Sequence, residues 1–484
     1  NSGRVVTYQW TGSNWQLLAP PIEGELAGDL HGYSLALSND GNSLAIGSPL
    51  HNASARNNMY RRGRVKTYDW NGSSWVEFAE IYGERKDDQS GWSVDFSGDG
   101  QILAIGARMN DNPNGKNSGH VRVFSKQVNS WQQIGQDIDG EEYMDTSGTA
   151  ISLSNDGTIL AVGAYLNDGN GYSNAQPGHV RVFEFSNSTW QQIGQDINGE
   201  AYGDFSGSYV DLSKDGKRLA VGALNNDGNG SRSGHARVYE RDLSADTWVQ
   251  LGSDIDGQAA EDNFGRSPKF FNDGNCLIIG ATRNDANGED AGHAQIYRWD
   301  GADWIQVGDD LKGSSAGDMV GSAIGISDDG SKIALGAPKP SSGTGFVKLF
   351  KASPSSLEEI TDNNADGLVD QGDNYRLFDS GFAIYLHRSN GKPISNSTSA
   401  TWDVTNATKV EDEFYVLLTG DNSQSGKYKV LTTDENGLVI SGSGWKAANW
   451  MNENGYNSIF GINFKFDRKE INKGQNLLFI KIFK

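Results

Sequence analysis

The turn dipeptide Asp-Gly recurs along this chain at a nearly constant interval. Its aspartates are Asp40, Asp99, Asp156, Asp215, Asp273 and Asp329, and subtraction gives spacings of 59, 57, 59, 58 and 56 residues. A fixed period of this kind is typical of solenoids and propellers, in which each repeat is one supersecondary unit packed against its neighbours. This repeat constrains the fold more than any other feature of the sequence.

Each repeat contains four apolar segments. In the third copy they are GTAISLS (148–154), TILAVGA (158–164), GHVRVFEF (178–185) and TWQQIG (189–194). Apolar and polar residues alternate in HVRVF and WQQI, as in strands with one buried face, whereas LAVGA is apolar throughout, as in a strand buried on both faces. The 62 glycines and only 10 prolines suit many short strands and tight turns. Four short strands per repeat predict one blade of an all-β propeller.

Six full copies and one partial copy divide residues 1–361. Residues 3–18 match only the third and fourth segments, and the full copies span 31–80, 90–136, 147–196, 206–253, 264–308 and 320–361. Six blades and half of another predict a seven-bladed propeller. The missing strands would lie upstream or come from a neighbouring chain, since natural proteins avoid unpaired strand edges. Because the chain begins inside a repeat and without Met, we expect that upstream sequence was processed away, left out or not observed.

Two of the copies resemble a known repeat family. The segments 262–281 and 320–338 look like the FG-GAP repeats of integrin-α-type seven-bladed propellers, with Phe264-Gly265 as the first signature and Gly336-Ala337-Pro338 as the second. The resemblance covers about residues 1–361 and implies a binding or scaffold module. The family often carries a D-x-D-x-D-G calcium loop between the first two strands, but here that link is only SNDG, SGDG, SKDG or SDDG. We therefore interpret Asp-Gly as a hairpin turn, in which Gly supplies a positive φ.

Charge and cysteine usage limit the partners and chemistry to expect. Lys and Arg total 41 against 62 Asp and Glu, a net charge of −21 that repels phosphate backbones and anionic lipid headgroups. Nucleic acid and membrane surfaces are poor candidate partners, and no apolar run has the length of a membrane span. The single cysteine, Cys276, stands where two sister repeats carry Ile and is interpreted as a buried hydrophobic residue.

Acidic residues recur at two places in the repeat. One aspartate precedes the opening Gly of each first strand by three residues, and either caps backbone N–H groups or belongs to a ring that attracts cations. These aspartates are Asp29, Asp88, Asp145, Asp204, Asp262 and Asp318. The loops after the second strands, near Asp111, Asp168, Asp227 and Asp285, are either calcium loops or ordinary turns rich in Asn, Asp and Gly.

Four histidines stand at the same place in successive blades: His120, His179, His235 and His293. Rotation about the propeller axis separates equivalent positions. We therefore expect a packing or turn role rather than one shared metal site.

The periodicity stops after Ile360, where the sequence reads TDNNADGLVDQGD. Oxygen-bearing residues fall at positions 1, 3, 5, 9 and 12 of a twelve-residue loop, Gly367 fills the sixth position, and the Leu368 carbonyl falls at the seventh. This spacing predicts a calcium site with the ligands Asp362, Asn364, Asp366, Leu368, Asp370 and Asp373. The alternative is an acidic linker. Aspartate at position 12 resembles the dockerin-like variant of the EF loop.

Residues 374–484 predict a small β-rich C-terminal domain, with runs such as FAIYLH, EFYVLLT and KYKVLTT. The stretch 428–446 and its flanks resemble a Trp-containing repeat of large secreted cyanobacterial surface proteins. The predicted domains are therefore the propeller at 1–361, the calcium loop at 362–373 and this module at 374–484.

These features predict a non-enzymatic, extracellular scaffold or adhesion protein, stabilised by calcium, that binds a protein or glycan at the propeller rim. One alternative is self-assembly into a filament or surface layer, with the partial blade completed by strands of another copy. A second alternative is a glycan-active enzyme that uses rim carboxylates such as Asp204 and Asp262 as acid and base.

Overall fold

The computed structural model of the chain describes residues 2–351 except 12–13, 53–60, 169–175, 329 and 339–344, together with strand segments between 376 and 447. Every regular element among these residues is a β-strand, which confirms the all-β prediction. The described part holds no helix long and apolar enough to cross a membrane. The chain divides into two compact units, residues 1–297 with 309–351, and residues 298–308 with 352–484.

The partial N-terminal copy forms two short antiparallel ladders. The strand β1 (Arg4–Val5) pairs with β4 (Ile22–Glu23), and β2 (Tyr8–Trp10) pairs with β3 (Trp15–Leu17). Val5 packs against the first full blade at Leu44, Ile46 and Tyr68. The half blade is thus joined to its neighbour by apolar packing, and closure of the ring with seven blades stays a prediction.

Six blades follow in a propeller arrangement, and in each of them the strands pair in chain order. The first strands are β5 (Ser34–Leu37), β9 (Ser93–Phe96), β14 (Ala150–Leu153), β19 (Ser206–Leu212), β24 (Phe264–Phe271) and β29 (Ile324–Ile326). The second strands are β6 (Ser43–Ser48), β10 (Ile102–Ala107), β15 (Ile159–Ala164), β20 (Arg218–Ala223), β25 (Cys276–Ala281) and β30 (Lys332–Ala337).

The outer strands complete the blades. The third strands are β7 (Arg64–Trp70), β11 (His120–Lys126), β16 (His179–Ser186), β21 (His235–Asp242), β26 (His293–Trp299) and β31 (Phe346–Lys351). The fourth strands are β8 (Trp75–Tyr82), β12 (Trp131–Gln133), β17 (Thr189–Gln192), β22 (Thr247–Gln250) and β27 (Trp304–Gln306). Short fifth strands pair with the starts of four third strands: β13 (Ile138–Asp139), β18 (Ile197–Asn198), β23 (Ile255–Asp256) and β28 (Leu311–Lys312).

The core lies between the blades and is built on the second strands, as their continuous apolar sequences predict. Leu103, Leu160, Leu219 and Leu277, at equivalent places, all have 0% exposure. Cys276 is buried, as expected. The Asp-Gly hairpins are also confirmed, since Gly157 has a φ of 71° and the Asp156 carboxylate accepts a hydrogen bond from the Thr158 N–H at 3.0 Å.

The glycines of the repeat lie where neighbouring blades touch. A Cβ on Gly163, near the end of a second strand, would lie 2.1 Å from the carbonyl oxygen of Gly207, near the start of the next first strand. Gly222 and Gly265 repeat this contact one blade further, with 1.9 Å. A side chain at either position would therefore push adjacent blades apart, which accounts for two glycines per repeat.

The second unit is β-rich, as predicted. One ladder joins β32 (Arg376–Asp379) to β33 (Phe382–Tyr385). A sheet orders β34 (Trp402–Val410), β35 (Glu413–Gly420), β36 (Lys427–Thr433) and β37 (Val439–Gly442), with β38 (Lys446–Ala447) beside β36. The calcium loop at 362–373 lies outside the described residues. That site, the domain boundaries and the likeness to Trp-containing surface repeats all stay predictions.

Candidate active site

The first strands surround the propeller axis, because each lies beside the first strand of the next blade from β5 through to β29. All of them begin at the same end of the axis, and we call the space around the axis, between these strands, the channel. The second strands run antiparallel to them, so that Gly106 pairs with Ser93 and Gly163 with Ala150. The residues that follow the second strands therefore return to the end at which the first strands begin.

Side chains from five blades converge at this end, which we call the channel mouth. The channel mouth comprises Tyr33, Trp92, Arg108, Tyr165, Tyr209 and Arg266. The rings of Tyr33 and Trp92 lie 4.4 Å apart between centroids. Arg266 lies over Tyr209 at 5.3 Å from the ring centroid and donates a 3.3 Å hydrogen bond to the Ser322 carbonyl.

The pKa values of Tyr33 and Arg108 at the channel mouth are shifted. Burial raises the pKa of Tyr33, whereas the charges of Arg108 and Arg266 act against this rise. Burial also lowers the pKa of Arg108, whose Nε donates a 3.0 Å hydrogen bond to the Gln89 side chain. Two guanidinium groups among aromatic rings form a site suited to an anionic ligand with an apolar face.

Three charged residues lie deeper in the channel. Asp95 accepts hydrogen bonds from the Leu153 N–H of the next first strand at 2.7 Å and from the Phe96 N–H at 3.0 Å. Asp211 accepts one from the Phe270 N–H at 2.7 Å and forms an ion pair with Lys269. These carboxylates hold the edges of neighbouring first strands together, and they bring negative charge to the axis.

The pKa values of Asp95 and Lys269 are shifted from their usual ranges. Burial raises the pKa of Asp95 to about 6, the nearby Asp211 charge adds to the rise, and Lys269 opposes it. Burial lowers the pKa of Lys269, but the charges of Asp211 and Asp95 outweigh burial and raise it above its usual value. The Lys269 side chain keeps 42% of its surface accessible although protein surrounds it, as expected for a group that lines a channel. Asp95 can therefore exchange a proton near neutral pH.

The structure places the predicted rim carboxylates in caps rather than in a catalytic pair. Asp204 is 3% exposed and accepts hydrogen bonds from the Ala201 N–H at 2.8 Å and the Asn226 side chain at 3.3 Å. Asp262 makes the equivalent bonds to Ala259 and Asn284, both at 3.0 Å. These hydrogen bonds confirm the capping interpretation for Asp204 and Asp262.

The acids of the second-to-third strand loops likewise close their own turns. Asp111, Asp227 and Asp285 accept backbone hydrogen bonds from Asn117 at 2.9 Å, Arg232 at 2.8 Å and Asp290 at 2.8 Å. The described residues that could hold a metal lie elsewhere, around the histidines of three third strands. They are two strands out from the channel.

Sequence reasoning missed the channel residues. Trp92 and Arg108 occupy positions that vary between repeats, whereas the predicted candidate residues stand at positions that stay constant. The sequence nevertheless contains a signal. One position of the first strand carries a charged residue in three blades, Asp95, Asp211 and Lys269, whereas two other blades carry Ala36 and Ser152 there. Charged residues in a strand otherwise bounded by apolar neighbours indicate a functional position.

The comparisons with known proteins support the repeat and the fold. Residues 83–124 match the model of the FG-GAP repeat. This chain is an FG-GAP-like β-propeller. A comparison of the propeller with curated protein sequences found no match.

Solved structures similar to this FG-GAP-like propeller include three proteins named as lactonases. A putative 6-phosphogluconolactonase from Bacteroides fragilis is 12% identical, with a TM-score of 0.50, and the match covers 73% of this chain and 87% of that one. A second putative 6-phosphogluconolactonase, from Bacteroides uniformis, is 12% identical, with a TM-score of 0.46 and coverages of 73% and 89%. The periplasmic gluconolactonase of Pseudomonas aeruginosa is 14% identical, with a TM-score of 0.45 and coverages of 71% and 90%.

These findings correct the expected function of the propeller. The expectation of a non-enzymatic scaffold or adhesion protein is wrong, because the Bacteroides fragilis structure that shares this fold bears the name of an enzyme. The expectation rested on the family resemblance alone, and one propeller fold supports both binding and catalysis. At such identities the likeness shows the fold alone, so the activity has to be argued from the residues of this chain.

Proposed function

We propose that this propeller is a hydrolase of anionic sugar derivatives, in particular lactones of sugar acids, and that it acts at the channel mouth. The observation that carries the proposal is the convergence of Arg108 and Arg266 with aromatic rings above Asp95, whose pKa is raised to about 6. The Bacteroides fragilis structure, which shares the fold, is named as a lactonase of a phosphorylated sugar acid.

Substrate binding follows from the chemistry of the channel mouth. The apolar face of a sugar ring stacks on the Tyr33 ring, which is 49% exposed and lies against Trp92, while its carboxylate or phosphate pairs with a guanidinium group. The two rings already contact each other, and Arg108 is held by Gln89. Binding therefore needs little rearrangement of these side chains.

We assign catalysis to the charged residues deeper in the channel, Asp95 and Lys269. Trp92 precedes the strand that carries Asp95, and the separation of three residues between their positions corresponds to about 10 Å of extended chain along the channel. In the proposed reaction Asp95 takes a proton from water as the water oxygen attacks the lactone carbonyl carbon. The proton then passes to the ring oxygen as its bond to that carbon breaks, and Lys269 is the positive charge near the developing oxyanion.

The test is hydrolysis by the purified full chain of glucono-δ-lactone and its 6-phosphorylated form, followed by acid release at constant pH. We expect a rate above the spontaneous one, and a lower KM for the phosphorylated lactone. Rates equal to the spontaneous reaction for both lactones, with a folded protein, would overturn the proposal.

The decisive variant is Asp95→Asn, which keeps the shape of the side chain and removes the base. We expect it to lose at least about a hundredfold in kcat, the usual range for removal of a general base. The matched control is Asp242→Asn, which removes one half-buried carboxylate at the outer end of a third strand and should leave the rate unchanged.

A further inference from the structure

Three successive blades carry the same group of one histidine and two acids. The histidine opens the third strand, a glutamate comes from the link before the blade, and an aspartate comes just before the fifth strand. The groups are Glu84, His120 and Asp137; Glu141, His179 and Asp196; and Glu200, His235 and Asp254. Within each group, one ligand atom from each residue lies within 4.8 Å of the other two.

The group in the fourth blade contains a buried nitrogen that lacks a partner. His235 is 1% exposed, and its Nδ1 has no hydrogen-bond partner. Around this nitrogen lie Asp254 Oδ2 at 3.7 Å, Glu200 Oε2 at 3.9 Å and Asp256 Oδ1 at 4.0 Å. These distances are too long for hydrogen bonds. They leave room for an ion bonded at about 2 Å to the nitrogen and to the oxygens.

In the first blade, the acids at the equivalent positions hold a positively charged side chain. By strand register, Arg64 stands at the histidine position and Glu80 at the aspartate position. The Arg64 guanidinium lies 2.9 Å from Glu25 and 3.0 Å from Glu80, and is itself 2% exposed. A cation supplied by the protein therefore fills the place that His120, His179 and His235 leave between their acids.

The fifth blade lacks one of the acids. Gln258 follows Gly257 where Glu200 follows Gly199, and His293 retains only Asp310, at 3.7 Å. Lys312 lies 3.7 Å from the same carboxylate. This blade is thus a natural comparison in which the group is incomplete.

We propose that His235, Glu200 and Asp254 bind a divalent transition-metal ion, zinc being the representative, and that the equivalent groups in the second and third blades each bind another. One imidazole nitrogen with two carboxylate oxygens is a zinc-type ligand set, whereas calcium takes oxygen ligands alone. Arg237 lies 3.4 Å from the other oxygen of Glu200 and so orients its carboxylate toward the imidazole.

The test starts from the full chain after its metal ions have been removed. The chain is dialysed to equilibrium against micromolar zinc, and its zinc content is then measured. Millimolar calcium is present to occupy sites made only of oxygen ligands. We expect three zinc ions on the wild type, two on Glu200→Gln, and none on the combined variant Glu84→Gln, Glu141→Gln and Glu200→Gln. The three glutamates are 41%, 42% and 45% exposed, so these substitutions should leave the packing intact.

The matched control replaces three exposed acids outside the groups, as Asp87→Asn, Glu142→Gln and Glu261→Gln, and should keep three ions. Cobalt in place of zinc gives a second readout, since visible absorption should appear on the wild type and decrease by a third in Glu200→Gln. Equal zinc contents for the wild type and Glu200→Gln, or no zinc on the wild type, would overturn the proposal.

Discussion

The guanidinium carbon of Arg108 lies 3.1 Å from the centre of the Trp92 ring. Arg108 follows the second strand of its blade and Trp92 precedes the first, so the hairpin between them brings the two side chains to the same end of the channel. Gln89 holds the Nε of Arg108 from one side. The arginine is thus fixed with its charge at the channel mouth.

Arg108→Ala should weaken substrate binding more than it slows turnover. Loss of a positioned guanidinium removes a charge-assisted contact and the cation–π contact together, so we expect KM for the phosphorylated lactone to rise about ten- to a hundredfold. Steady-state kinetics check this. Arg232→Ala, at an exposed loop pair with Glu261, is the control and should leave KM unchanged.

Activity should depend on pH through Asp95. Its carboxylate is the proposed base and its pKa is about 6, so kcat/KM should rise between pH 5 and 7 and level off above. The profile has to be measured against the spontaneous reaction at each pH. A flat profile over this interval would show that another group is the base.

The protonation of Asp95 should also affect the stability of the fold. Stability should decrease as the pH rises, whereas activity should increase. In the folded chain Asp95 keeps its proton up to about pH 6, whereas its pKa in the unfolded chain is near the usual value of 3.8. Its favourable contribution is therefore complete below pH 3.8 and is lost as the pH rises through 6, by up to about 3 kcal/mol.

Urea unfolding of the wild type and Asp95→Asn from pH 4.5 to 8 measures this effect. The free energy of unfolding of the variant should increase relative to the wild type as the pH rises. A constant difference between the two proteins would contradict the raised pKa.

Gly163→Ala should destabilise the propeller strongly. The new Cβ would lie 2.1 Å from the Gly207 carbonyl oxygen, so adjacent blades must separate, at a cost of about 2 to 4 kcal/mol. The urea midpoint reports the loss. Gly325→Ala is the control, because its Cβ would meet nothing closer than Ala334 at 3.9 Å, and its midpoint should stay near that of the wild type.

Calcium should raise the melting temperature of the full chain, and Asp366→Ala should remove the gain. Asp366 stands at the fifth position of the predicted twelve-residue loop, and a ligand that binds only the folded state stabilises it. Thermal unfolding in excess calcium and in chelator checks this. The same melting temperature in both media would leave the loop as an acidic linker.

Much of the fold was determined by the sequence itself. The spacing of Asp-Gly turns, the continuous apolar second strands and the alternating third strands are local patterns, and each predicts its element without knowledge of the rest of the chain. The same holds for the caps, because Asp204 and Asp262 bond groups within a few residues of themselves. Period and local pattern therefore sufficed for the six blades.

Only the tertiary structure decided where the chemistry lies. Tyr33, Arg108 and Arg266 come from three different blades and meet because the ring brings equivalent ends of the first strands together. The raised pKa of Asp95 likewise depends on burial and on the charge of Asp211, which lies far along the chain. His235 acquires its two acids from links on either side of its blade. Convergence of this kind results from rotation about an axis, which a linear repeat does not contain.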